Sequence, residues 1–144
     1  MELKPILLVE DNPDDELLVR RSLSGNGFGH PVVSVHDGQE ALDYLFDEQA
    51  RERSLPVLVL LDLRLPRVDG HEVLRRIRVA ERTKLLPVVI LTSSDEEEDI
   101  LESYRDGANS YVRKPVKFED FGKAIHNLGL FWALTNVGPP TQEE

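Results

Sequence analysis

The sequence predicts one three-layer α/β domain, a five-stranded parallel sheet covered by helices on both faces. Two observations predict it. Five short apolar runs, rich in aliphatic and β-branched residues, lack the polar alternation of a half-exposed strand. Between and after them lie stretches with helical periodicity, so strand and helix alternate five times, which calls for right-handed crossovers in a parallel sheet.

The strand runs are Ile6-Leu7-Leu8-Val9, Val32-Val33-Ser34-Val35, Val57-Leu58-Val59-Leu60-Leu61, Val88-Val89-Ile90-Leu91 and Ser110-Tyr111-Val112. Asn12 followed by Pro13 reads as an N-cap and first helical position. Asp37 with Glu40, and Asp69 with Glu72, have capping-box spacing with Asp in place of Ser or Thr. Behind Asp37, the residues Ala41, Leu42, Leu45 and Phe46 share a face; behind Asp69, Val73, Leu74, Ile77 and Ala80 do so. Ile100, Leu101 and Tyr104 mark a fourth helix, and Phe118, Phe121, Ile125, Leu128 and Trp132 a fifth. The polar stretch from Asp47 to Pro56 is expected to extend the second helix into a loop. Residues 1–136 read as one domain, and residues 137–144 as a flexible tail.

The chain has 144 residues, a size that fits one domain with a sufficient core. It has no cysteine, which excludes disulfides, zinc-thiolate sites and thiol nucleophiles. No apolar run approaches the ~20 residues of a membrane helix, and the few residues before the first strand are too short for a signal peptide. The expectation is a cytoplasmic protein without a membrane anchor. The formal net charge of -10 argues against nucleic acid as a partner.

In a parallel sheet, all strand C-termini lie on one edge, where ligands bind. Glu10 and Asp11 follow the first strand, Asp62 follows the third, Thr92, Ser93 and Ser94 end the fourth, and Arg113, Lys114 and Pro115 follow the fifth. Singly, each has a plainer reading as an acidic loop, a cap or a solvated lysine. Jointly, the plain readings leave unexplained why all of them fall on the same edge. Crowded carboxylates repel each other and need a positive charge between them. A hard divalent cation serves, Mg²⁺ being usual where phosphate is handled. Asp62 would then keep one oxygen for nucleophilic attack on phosphorus. Lys114 would offset charge on the transferred oxygens, and Thr92 would donate a hydrogen bond to one of them.

The segments Val9-Glu10-Asp11-Asn12, Asp62 through Gly70, Leu91-Thr92-Ser93 and Lys114-Pro115-Val116 resemble the signature segments of response-regulator receiver domains, in the same order and spacing from about Pro5 to Trp132. The resemblance implies a flavodoxin-like three-layer sandwich, with a five-stranded parallel sheet of order 2-1-3-4-5 and five helices. It implies that Asp62 is the phosphoacceptor and that Asp11, Asp62 and the Arg64 backbone carbonyl hold Mg²⁺, with Glu10 acting through a bound water. Thr92 becomes the switch hydroxyl, Lys114 the phosphate-pairing lysine and Tyr111 the switch aromatic. Leu65 replaces a common methionine, and Arg64 and Ser94 occupy positions that tune dephosphorylation in the family.

Three further features resemble the small stand-alone response regulators that partner phytochrome histidine kinases. They are the polar insert before Leu55-Pro56, the stretch Gly107-Ala108-Asn109-Ser110-Tyr111, and the aromatic end Leu130-Phe131-Trp132. The implied partners are a sensor histidine kinase of phytochrome type and a second copy of the chain, with Phe131 and Trp132 as interface candidates. A receiver is not a turnover enzyme. The rival phosphatase of haloacid-dehalogenase type needs an aspartate two residues after the nucleophile, and Arg64 stands there. A phosphate sink, a relay receiver, or a binding module that keeps only the fold are the other readings. His30, His36, His71 and His126 are scattered in the sequence; no metal cluster is expected among them, and His71 is expected at a solvated helix start.

Overall fold

Register decides the architecture. β1 (Ile6–Val9), β2 (Val32–Val35), β3 (Leu58–Leu61), β4 (Val88–Thr92) and β5 (Ser110–Arg113) pair in parallel in the order β2-β1-β3-β4-β5. This is the flavodoxin-like order that the family resemblance implies. The computed structural model describes residues 3–24 and 29–140. Val9 pairs with both Val35 and Leu61, and Leu61 pairs in turn with Ile90. The residues that come after β1 and β3 therefore emerge side by side.

Alternation along each strand sends side chains to two cores. Leu7, Val9, Val59, Leu61, Val88 and Ile90 pack against α2 (Gly38–Phe46) and α3 (Gly70–Val79), through Ala41, Leu42, Leu45, Val73, Leu74 and Ile77. Ile6, Leu8, Leu58, Leu60, Val89 and Leu91 pack against α1 (Pro13–Leu23) and α5 (Phe118–Gly129), through Val19, Leu23, Phe121, Ile125 and Leu128. β1, β3 and β4 are buried throughout, which is why they carry no polar alternation. Each fully buried aliphatic side chain contributes about 1.5–3 kcal/mol.

The helix starts behave as their sequences suggest. The Asn12 side chain accepts from the Asp14 and Asp15 amides at 2.9 and 3.1 Å, with Pro13 in the first turn. Asp37 accepts from the Glu40 amide at 2.8 Å, and Asp69 from the Glu72 amide at 3.0 Å.

Three elements depart from expectation. α2 stops at Phe46, and a 3-10 turn over Ala50–Glu52 comes next, because Asp47 and the Tyr44 carbonyl are held by Arg53. α4 (Glu97–Arg105) buries Asp99 and Ser103 and turns Leu101 and Tyr104 outward, 51% and 50% exposed. Its inner face packs on polar groups of α3 and the β4–α4 loop, so Leu101 and Tyr104 mark the outer face while Ile100 is half-buried. Phe118 is likewise 61% exposed, whereas Phe121, Ile125 and Leu128 form the buried stripe of α5.

After α5 the chain widens into a π turn over Leu130–Thr135, closed by the Asn136 amide on the Phe131 carbonyl. Trp132 is half-buried against the α1–α5 core, while Phe131 faces outward and meets the indole edge-on, with ring centroids 5.3 Å apart. Of the expected tail, residues 137–140 are exposed and carry no helix or strand, and residues 141–144 lie outside the described residues.

The β3–α3 loop is wedged in place by a glycine. A Cβ on Gly70 would lie 2.2 Å from the Asp62 carbonyl oxygen and 2.6 Å from the Leu63 Cα. The Gly70 amide donates to the Leu63 carbonyl at 2.9 Å, closing the loop that carries Asp62. Gly70→Ala is therefore expected to cost about 1–3 kcal/mol through overpacking, read as a lower urea midpoint at unchanged slope; a midpoint equal to wild type would show that the loop gives way freely.

Candidate functional site

The sheet brings Glu10, Asp11, Asp62 and Lys114 together at one edge. The Asp62 amide bonds the Val9 carbonyl at 3.1 Å and the Glu10 amide bonds the Val35 carbonyl at 3.0 Å, so both acids leave the sheet at the same level. Glu10, Asp62 and Thr92 are buried, and Asp11 beside them is exposed. One ligand oxygen from each of Glu10, Asp11 and Asp62 lies within 4.8 Å of the others. From β5, the Lys114 ammonium donates to Glu10 Oε1 at 2.6 Å, to Asp15 Oδ2 at 2.9 Å and to Asp62 Oδ2 at 3.0 Å. The Lys114 amide also donates to the Thr92 carbonyl at 2.7 Å, fixing where the lysine leaves the sheet.

The charges explain one another. Burial pushes the Glu10 carboxyl up to about 7, against the Lys114 hydrogen bond that favours its ionised form. For Lys114, burial works against the ammonium, but the carboxylates of Asp62 and Glu10 outweigh it and hold the amine well above the usual lysine range. The second oxygen of Glu10 accepts from the Asn12 amide at 3.1 Å. Asp62 Oδ1 accepts from the Arg64 amide at 3.3 Å, while its Oδ2 faces Lys114. An all-oxygen carboxylate set that already demands a cation suits a hard divalent ion.

Asp15 belongs to this site and is missing from the strand-end reading. It sits in the first turn of α1, where the Asn12 cap aims the turn over the sheet edge. The Asp14-Asp15-Glu16 run was the only signal, and such runs usually serve the helix dipole.

A second network adjoins the first. The Tyr111 hydroxyl donates to the Ser94 carbonyl at 2.9 Å, tying β5 to the β4–α4 loop. The Ser94 hydroxyl donates to Asp99 Oδ2 at 2.6 Å, and the Arg64 guanidinium pairs with the same carboxylate. The Arg64 side chain thus lies on α4. His71, expected in solvent, is 6% exposed, because α4 covers the first turn of α3 and sets Asp99 against the ring at 3.3 Å. His71, Glu102 and Asp106 bring ligand atoms within 4.8 Å of one another. Tertiary packing joins α3 to α4 here; residue spacing could not.

Residues 6–126 match the family model of the response regulator receiver domain. The chain belongs to the response regulator receiver family. This receiver is 44% identical over 134 residues to a probable methanogenesis regulatory protein, FilR2, of Methanothrix harundinacea, covering 93% of this chain and 86% of that one. It is 38% identical over 137 residues to response regulator Rcp1 of Synechocystis sp., covering 94% and 93% of the two chains. The crystal structure of the phosphorylated cyanobacterial phytochrome response regulator RcpA superposes with a TM-score of 0.90 at 39% identity, over 94% of this chain and 98% of that one. A Mn²⁺-bound form of Rcp1 superposes with a TM-score of 0.89 at 36% identity, over 95% and 99%. The receiver is therefore a two-component response regulator domain related to phytochrome response regulators. Among the described residues, no helix is long and apolar enough to cross a membrane.

The raised Glu10 pKa has a definite sign in stability. Between its ordinary value of 4.5 and about 7, the folded receiver holds a proton that the unfolded chain has released. Folded stability conferred by that proton is present at the acid end and is lost as pH rises through this window. In metal-free buffer the urea midpoint should fall from about pH 5 to about pH 8, and Glu10→Gln should flatten that slope. An equal slope in the variant would assign the effect to other groups.

Proposed function

We propose that this chain is a single-domain response regulator that takes a phosphoryl group on Asp62 from the phosphohistidine of a sensor kinase of phytochrome type. The observation that carries this is the Lys114 ammonium, bonded at once to Asp62, Glu10 and Asp15 from three separate elements. A buried lysine balancing acids at a sheet edge is arranged for an anion to arrive on one of them.

An Asp62 carboxylate oxygen attacks phosphorus. A P–O bond forms as the P–N bond to the donor histidine breaks. The electron pair stays on the imidazole nitrogen, which takes up a proton. Asp11, Asp62 and the Arg64 carbonyl are the residues to hold Mg²⁺ directly, with Glu10 through water. When bound, the ion supplies charge neutralisation on the transferred oxygens. The Mn²⁺-bound form of Rcp1 supports a divalent ion at such a site. Lys114 exchanges a carboxylate partner for a phosphoryl oxygen, and the buried Thr92 hydroxyl donates to another. The product is an acyl phosphate carrying roughly two negative charges.

The switch arises from the second network. Movement of Thr92 draws on the loop that Tyr111 holds through the Ser94 carbonyl. Tyr111 turns inward and the α4–β5–α5 face changes shape, a two-state element biased by local charge. That face carries the outward Leu101, Tyr104 and Phe118, suited to reading by another protein. The π turn with exposed Phe131 over Trp132 supports pairing of two copies. We place the protein in the cytoplasm, acting without nucleic acid. Each phosphoryl event is stoichiometric rather than a turnover reaction. Arg64 in place of a second aspartate disfavours a phosphatase.

With Mg²⁺ and acetyl phosphate, the intact mass should rise by one phosphoryl group, and Asp62→Asn should abolish the gain. No gain in wild type, or a gain that survives the substitution, would overturn the assignment. Lys114→Ala should slow phosphorylation on the order of 100-fold. Thr92→Ala should still be phosphorylated, but a fluorinated Tyr111 should report a smaller environmental change. Phe131→Ala should shift sedimentation toward monomer; an unchanged distribution would put the interface elsewhere.

A further inference from the structure

The cluster between α3 and α4 lies outside the phosphorylation site and has its own chemistry. His71 lies in the first turn of α3 with a side chain 8% exposed. Its Nε2 is 3.3 Å from Asp99 Oδ1. The Asp99 carboxyl is held below the usual carboxylate range, first by the Ser94 hydroxyl and then by His71 and Arg64, with burial opposing. An ionised carboxylate only accepts, so Nε2 carries the hydrogen and donates it.

The other nitrogen, Nδ1, is buried and has no hydrogen-bond partner among the described residues. It faces two more carboxylates, Glu102 Oε2 at 3.6 Å and Asp106 Oδ2 at 3.9 Å. A buried ring nitrogen without a hydrogen-bond partner, directed at two carboxylates, is placed to share a cation with them.

We propose that His71 Nδ1, Glu102 and Asp106 form a second cation site, selective for a first-row transition divalent ion such as Zn²⁺. An imidazole nitrogen with two carboxylate oxygens suits Zn²⁺ better than Mg²⁺. Tetrahedral Zn²⁺ with arms of about 2.0–2.1 Å sets its donors about 3.3 Å apart, close to the distances from Nδ1 to Glu102 and Asp106 here. The Nε2 bond to Asp99 is the carboxylate support that metal-bound histidines ordinarily have, fixing ring and tautomer. Ser94 and Arg64 in turn hold Asp99.

The competing cation is Arg75. Its Nη1 lies 3.3 Å from Glu102 and 3.1 Å from Asp106, while its Nε and Nη2 are bonded to Glu72. The Arg75 side chain is 44% exposed, so its hold on the pair is weak. A bound ion displaces it onto Glu72, whose bonds remain.

The test is a Zn²⁺ titration of the chelator-washed full chain in excess Mg²⁺, read by calorimetry and by the ring nitrogen resonances of His71. One Zn²⁺ should bind, shifting Nδ1 and raising the unfolding temperature by mass action. Binding should persist in an Asp11→Asn, Asp62→Asn double variant, which separates it from the phosphorylation site. His71→Gln should weaken it at least about tenfold. Arg75→Gln should tighten it, an outcome that a purely structural cluster does not produce. If His71→Gln fails to fold, Asp106→Asn gives the same reading. Affinity unchanged by these ligand substitutions, loss only in the double variant, or a ring that responds to protons and not to Zn²⁺ would each overturn the site.

Discussion

The Lys114 ammonium among three carboxylates is the interaction on which the functional edge depends. Parallel register forces Glu10 and Asp62 out of the sheet at one level, and the capped first turn of α1 adds Asp15. Such crowding is costly without a central positive charge. Lys114 supplies it from β5, the far side of the sheet from β2, so the site is assembled only when strands distant in sequence have paired. Burial keeps the Glu10 carboxyl up at about 7, and the crowding of acids at this edge suits it to a cation.

Next to this centre, α4 is built with unusual polarity. A helix with apolar residues at Ile100, Leu101 and Tyr104 would ordinarily turn them all to the core. Here the inward positions are Asp99 and Ser103, and Asp99 gathers Ser94, Arg64 and His71. The Ser103 hydroxyl closes back on the Asp99 carbonyl at 2.7 Å. Hydrogen bonds and ion pairs, in place of apolar interdigitation, thus hold the inward face of this helix. The outward apolar residues then become surface rather than core.

The two networks meet at the β4–α4 loop. Thr92 ends β4 beside the acids, and two residues later Ser94 gives its carbonyl to Tyr111 and its hydroxyl to Asp99. Arg64 spans the same gap, its amide on Asp62 and its guanidinium on Asp99. Charge at Asp62 is thus two residues away from the groups that hold α4. A cation bound between α3 and α4 would act on the same face of that helix, one to two turns further along.

The strand order came with the family resemblance; by itself, the sequence determined the α/β class, the helix caps at Asn12, Asp37 and Asp69, and the strand-end placing of Glu10, Asp11, Asp62, Thr92 and Lys114. Each leaves a local trace: an apolar run, a capping spacing, or a polar residue just beyond a strand. The tertiary structure alone decided the features that arise where elements meet. It brought Asp15 onto Lys114 from α1, carried Arg64 onto α4, buried His71, turned Leu101, Tyr104 and Phe118 outward, and widened the chain into a π turn at Trp132. Periodicity reports that a helix has two faces, but which face is covered depends on the partner that packs there. For α4 that partner is polar, and one-dimensional apolar patterning carries no signal for a polar core.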